Sequence, residues 1–178
     1  MQTLIDKYCH DNQKLRDILL THCRQVADKA LSIAKNHLEL NIDLDFLVNA
    51  AMIHDIGIVK TNAPGIECYG TEPYICHGIL GAQICIDEGI PQFAPICERH
   101  TGAGITAQEV IDQKLPLPVK DYMPETIEEK LICYADKFFS KSHLDREKTP
   151  EQVIVSLQKF GPDTVARFKT LHQLFTPL

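Results

Sequence analysis

Six side chains in this sequence are of the types that bind divalent transition metals: His22, His54, Asp55, His77, His100 and Asp136. They lie on five segments, THCRQVADKAL, MIHDIG, CHGILGAQI, ERHTGAG and CYADKFF. At helical periodicity His54 shares a face with Leu47, Ala50 and Ala51, His77 with Leu80, Gly81 and Ile84, and His100 with Ile96 and Cys97. Asp136 lines up with Ile132, Cys133 and Phe139. Polar groups on apolar stripes point inward. Taken one at a time, each reads as a core histidine bonded to a carbonyl or a carboxylate capping a helix. Taken together, they would cost a few kcal/mol per group if buried without partners, and coordination to metal ions satisfies all of them at once.

Four imidazoles and two carboxylates without a thiolate suit Fe, Mn, Co or Zn better than Mg or Ca. Six protein ligands exceed the needs of one ion with open positions and match two ions, with Asp55 the natural bridge beside His54. Two divalent ions, two carboxylates and a bridging hydroxide leave about one net positive charge in a low-dielectric pocket, which attracts phosphate. The expected nucleophile is metal-bound hydroxide, with Asp55 counted among the catalytic residues.

The elements that must position these groups are helical. Apolar residues recur at helical spacing almost throughout, and no alternating strand is evident, so the expected class is all-α, a single-domain helical bundle. The spacing predicts a helix from about Thr21, as N-cap, to Asn36, with His22 in its first turn. A second runs from about Asp43 to Asp55, with Gly57 closing it in a left-handed cap. Residues 58–75, with Pro64, Gly65, Gly70 and Pro73, read as a long loop. Helices follow at about 77–88 and 91–100, then a short amphipathic piece, a Pro-rich link, a strong helix over 124–142, and one or two C-terminal helices broken at Gly161-Pro162.

The length of 178 residues, with 44% hydrophobic side chains, supports one core, so residues 1–178 are taken as one domain with C-terminal helices over 150–176. A formal charge of -6 and the lack of a Lys/Arg cluster argue against gripping a long nucleic acid. A small phosphorylated substrate, of nucleotide type, is the expected partner. The first residues show no leader pattern and no apolar run is long enough to span a bilayer, so the expectation is a cytoplasmic protein with no membrane partner. Seven scattered cysteines without a CxxC pair suit reduced core thiols.

These five pieces, in this order, resemble the HD-domain metal-dependent phosphohydrolases, and among them the short, stand-alone, HDIG-containing proteins. The resemblance covers about residues 20–142. It implies that His22, His54, Asp55 and Asp136 form the first metal site and that His77 and His100 mark a binuclear member. Similar HG and HTG contexts occur in the branch that hydrolyses symmetrical diadenosine tetraphosphate. The implied reaction is hydrolysis of a phosphate ester or anhydride in a nucleotide or dinucleoside polyphosphate. No GYP motif follows, which disfavours the cyclic dinucleotide phosphodiesterases. Ile56-Gly57-Ile58-Val59 stands where the alarmone hydrolases carry an acidic pair.

Lys60 and Lys137 are candidates to steady a phosphate oxygen or the charge of phosphoryl transfer, and Thr101 is a further candidate substrate contact. A solvated or carboxylate-paired lysine is the bland alternative for each. Arg24 and Arg99 are weaker, Gly102-Ala103-Gly104 reads as a helix terminator, and His10, His37, His143 and His172 match no motif. Two other functions stay open: an HD-type di-iron oxygenase and a non-catalytic nucleotide-sensing module.

Overall fold

The computed structural model describes residues 1–176. The last two residues of the expected domain, 177 and 178, lie outside the described residues. A short helix α1 (Gln2–Tyr8) leads into α2 (Gln13–Lys35), the longest element. Its buried stripe, Leu15, Leu19, Cys23, Val26, Ala30 and Ala34, keeps helical spacing from the first turn. The Asn12 side chain caps it by accepting the Leu15 N–H at 3.0 Å, so α2 starts eight residues upstream of the expected Thr21 and His22 lies mid-helix. The Asn12 amide also donates to the Glu67 carbonyl at 2.8 Å. Replacing Asn12 with alanine removes both bonds, and a loss of about 1 kcal/mol or slightly more is expected in chemical denaturation.

Asp43 caps α3 (Leu44–Ala51) through the Phe46 N–H. The helix stops at Ala51, so His54 and Asp55 sit in the tight turn that follows, ahead of a 3-10 segment, Ile56–Lys60. Gly57 is not in the left-handed region and does not cap α3. The expected loop over 58–75 contains a small sheet: β1 (Thr61–Ala63) pairs antiparallel with β2 (Cys68–Tyr69) and parallel with β3 (Glu72–Pro73). Strands of two or three residues are too short for alternation to register in a sequence.

Beyond the sheet come α4 (His77–Asp87), α5 (Ala94–Arg99), α6 (Ala107–Asp112) and α7 (Ile127–Asp136). A reciprocal Thr106–Glu109 cap starts α6, and Thr126 caps α7. The expected helix over 124–142 ends at Asp136. The pair α8 (Pro150–Leu157) and α9 (Pro162–Phe175) completes the chain, separated at Gly161 with φ +100°. Tyr134 of α7 stacks on Phe168 of α9 with ring centroids 5.5 Å apart, which ties this pair to the bundle. The fold is all-α with a three-stranded inset.

The core runs through Leu19, Leu47, Ile53, Ile56, Ile84, Ile96, Leu131 and Phe168, all fully buried or nearly so. All seven cysteines are buried and free. Among the described residues no helix is long and apolar enough to cross a membrane.

Candidate metal centre

The five segments converge. His22 comes from the middle of α2, His54 and Asp55 from the turn after α3, His77 from the first residue of α4, His100 from the end of α5, and Asp136 from the last residue of α7. All six are buried, each at most 8% exposed. Their donor atoms form two groups: His22, His54, Asp55 and Asp136, then Asp55, His77 and His100. Asp55 belongs to both. Its Oδ2 lies 3.0 Å from His22 Nε2 and 3.1 Å from His54 Nε2, and its Oδ1 lies 3.3 Å from His100 Nε2 and 3.6 Å from His77 Nε2. Asp136 Oδ1 closes the first group at 2.9 Å from His22 Nε2 and 3.6 Å from His54 Nε2.

Three of the imidazoles are oriented by the backbone. Nδ1–H of His54 donates to the Ala51 carbonyl, that of His77 to Tyr74 and that of His100 to Cys97, each at 2.7 Å. A carbonyl can only accept, so these Nδ1 atoms carry a proton and each ring turns its Nε2 toward the centre; in a neutral ring that Nε2 is a lone pair. Nε2 of His77 and His100 then face each other at 3.0 Å. Two lone pairs at that distance repel unless a cation lies between them. His54 Nε2 and Asp55 Oδ1 have no hydrogen-bond partner although fully buried. Donors about 2.1 Å from one ion at right angles to each other stand about 3.0 Å apart. The spacings here run from 2.9 to 3.6 Å. The donor set fits divalent metal ions.

The electrostatics differ between the two groups. Burial, joined by the neighbouring His100, pulls His77 down to about 3. Burial also lowers His100, against the opposing pull of Asp55. In the first group burial is the largest influence on His54 and would lower it, yet Asp55, Cys23 and Asp136 together outweigh it and hold the ring well above the usual histidine value. Both aspartates stay well below the carboxylate range despite burial, Asp55 through Lys141 and His54, Asp136 chiefly through Lys137.

Glycine sets how closely the elements approach. A Cβ on Gly57 would lie 2.0 Å from the His77 carbonyl oxygen and 2.4 Å from the Gly81 nitrogen. The HD turn and the helix carrying His77 therefore touch backbone to backbone, which is the role of Gly57 in place of the expected cap. Arg99 bonds Glu125 at 2.7 Å and Glu129 at 3.1 Å, which fastens the end of α5 to the start of α7.

A cavity of about 660 Å³ opens beside the second donor group, with His77, His100 and Asp136 in its wall. Lys137 and Thr101 line it as well: Lys137 Nζ is 2.6 Å from Asp136 Oδ2 and donates to the His100 carbonyl at 3.2 Å, and Thr101 Oγ1 is 3.3 Å from His77 Nε2. Lys60 is not brought there. It is exposed at the end of the 3-10 segment and does not line the cavity. Arg24 is exposed too. The lysine that the sequence reading missed is Lys141, whose Nζ is 2.5 Å from Asp55 Oδ2. Five residues beyond Asp136, it would leave the aspartate's face if the helix continued to Ser142. Because α7 stops at Asp136, the chain turns back and returns Lys141 to the centre. Tyr74, also missed, stacks on His77 at 4.8 Å between ring centroids. His10, His37, His143 and His172 stay out of the cavity wall.

A family model described as HD domain matches residues 19–140. The chain belongs to the HD domain family. All six donor residues of this HD domain lie within the matched span, and together with the match they support a metal-dependent HD-type enzyme. The chain is similar to two proteins named tRNA (cytidine(56)-2'-O)-methyltransferase: 35% identity with that of Thermoplasma volcanium over 90% of the chain and 42% of the relative, and 38% with that of Picrophilus torridus over 88% and 41%. It thus spans under half the length of these curated relatives. It is also 35% identical to uncharacterized protein MJ0778 of Methanocaldococcus jannaschii, over 75% of the chain and 70% of the relative. The comparison with solved structures finds no match.

Proposed function

We propose that this HD domain is a phosphohydrolase that cleaves a phosphate ester or anhydride, of a nucleotide or dinucleoside polyphosphate, with two divalent transition-metal ions drawn from Fe, Mn, Co or Zn. His22, His54, Asp55 and Asp136 would hold one ion, and Asp55, His77 and His100 the other. The observation that carries this reading is the shared Asp55, with one carboxylate oxygen turned toward each donor group. Bound ions would supply Lewis acidity to a phosphoryl oxygen and a nucleophile from water near neutral pH.

The chain's own residues do the rest. The Nδ1–H bonds to backbone carbonyls keep His54, His77 and His100 aimed inward. Lys137 and Lys141 place ammonium groups against the Asp136 and Asp55 oxygens, in the cavity wall where phosphoryl oxygens would collect charge. Thr101 offers a hydroxyl beside His77. Free buried thiols suit a reducing compartment such as the cytoplasm. The whole chain is proposed as one domain, with the matched 19–140 span at its core.

The relatives' printed activity belongs to proteins more than twice as long as the matched part, so methylation is not carried over to this chain. Their names do favour a second substrate reading, a phosphate carried on RNA. The test is purification without chelator, elemental analysis, and assay with Mn, Fe, Co and Zn against nucleotides, dinucleoside polyphosphates, sugar phosphates and tRNA. Metal-dependent release of phosphate or nucleotide is expected. Oxygen consumption without phosphate release would support the oxygenase reading instead, and tight nucleotide binding without product would support the sensing module. Within the active enzyme, Lys141→Ala is expected to lower kcat/KM by about 100-fold, and Lys60→Ala to change it by less than about twofold.

A further inference from the structure

The cavity is larger than one phosphoryl group needs, and part of its wall is built by residues beyond the family match: Lys148, Ser156, Leu157, Lys159, Phe160 and Thr164. Charge within it is unevenly matched. Its two carboxylates already have cations, Asp136 with Lys137 at 2.6 Å and Glu109 with Arg167 at 2.8 Å, and Lys141 is held by Asp55. Lys148 and Lys159 also face the cavity, yet among the described residues neither has a carboxylate oxygen within 4.0 Å.

Lys148 is half-buried, which makes the lack of a counter-ion costly. Burial pulls its ammonium below the usual lysine value. Asp136 opposes that pull, while Lys137, Lys159 and Arg146 add to it by repulsion. Its backbone is fixed, since the Lys148 N–H donates to the Phe138 carbonyl at 2.8 Å. Lys159 stands 4.8 Å from the centroid of the Phe160 ring, which holds its ammonium near the cavity wall. In a chain of formal charge -6, positive groups gathered in one concave place without partners are a feature that an anion would complete.

We infer that Lys148 and Lys159 form a second anion subsite, which takes a phosphoryl group of the substrate other than the one that meets Asp55 and Asp136. This rests on the phosphohydrolase reading and narrows it to substrates with a chain of phosphates, such as nucleoside di- and triphosphates or dinucleoside polyphosphates. Segment 148–160, outside the matched span, then sets selectivity while the HD core supplies the chemistry.

The test is calorimetric titration of the metal-loaded protein with inorganic tripolyphosphate and with orthophosphate, for the natural chain, Lys148→Gln, Lys159→Gln and the double variant. The natural chain is expected to bind tripolyphosphate at least about tenfold more tightly than orthophosphate. The double variant should lose most of that preference while its metal content and orthophosphate affinity stay within about twofold. A natural chain without the preference, or a double variant that keeps it, overturns the subsite. Should the double variant misfold, exposed Lys159 alone carries the test: Lys159→Gln should lose about threefold in tripolyphosphate affinity, and no change overturns the subsite. The two proposals fail separately. Preference without any hydrolysis defeats only the phosphohydrolase reading, and hydrolysis without preference defeats only the subsite.

Discussion

Asp55→Asn is expected to lower turnover by about 1,000-fold or more and to reduce bound metal to one ion per chain or none. The amide is nearly isosteric but loses the negative charge and one acceptor oxygen. Each Asp55 oxygen faces different imidazoles, Oδ2 toward His22 and His54 and Oδ1 toward His77 and His100, so the change strikes both donor groups at once. It also frees Lys141, now held at 2.5 Å by Asp55 Oδ2, to repel any cation placed there. Removing one imidazole, as in His54→Ala, should take metal and turnover together. Elemental analysis beside a phosphate-release assay checks both. Full metal content with normal turnover in Asp55→Asn would show that the two donor groups do not share this carboxylate.

The other large effect is expected at Gly57, which bears no functional group. Gly57→Ala places a methyl carbon 2.0 Å from the His77 carbonyl and 2.4 Å from the Gly81 nitrogen, and neither is a flexible side-chain end that can swing aside. The HD turn and α4 must separate, and His77 moves with α4. The expected cost is about 3 kcal/mol, seen as a fall of roughly 6–12 °C in Tm, together with loss of metal from the group containing His77. Gly65→Ala is the matched control. Nothing lies within 4 Å of a Cβ there, and its stability should change by no more than about 0.5 kcal/mol. A Gly57→Ala protein with unchanged Tm and metal content would mean that the close approach of these two elements is not needed.

The inward-facing polar groups were legible because helical periodicity sorts faces even when helix ends are misplaced. His77 and His100 were found that way, on stripes with Ile84 and Ile96. His54 was found for the same reason, although α3 stops at Ala51 and the ring sits in a turn; the residues counted against it, Leu47, Ala50 and Ala51, are still its buried neighbours in sequence. His22 is expected in a first turn but lies mid-helix, because Thr21 is a good cap by type, while Leu15 and Leu19 carry the same helical spacing back to the true cap, Asn12.

Lys141 was invisible for a tertiary reason. Its position depends on α7 ending at Asp136, and nothing in KFFSKSH forbids a further turn of helix. Lys60 failed in the opposite way: closeness to His54-Asp55 along the chain did not become closeness in space, since the 3-10 segment carries it outward to solvent. The sheet of β1, β2 and β3 rests on backbone pairing over a few residues, which leaves no periodic trace.

On the proposed reading, His22, His54, Asp55, His77, His100 and Asp136 hold a pair of metal ions. Anomalous scattering from crystals of protein purified without chelator and loaded with Mn or Zn tests it most directly. Two peaks are expected beside the Asp55 carboxylate, one by His22, His54 and Asp136 and one by His77 and His100. A loaded crystal with no peak at Asp55, or with its only peaks elsewhere, would contradict it.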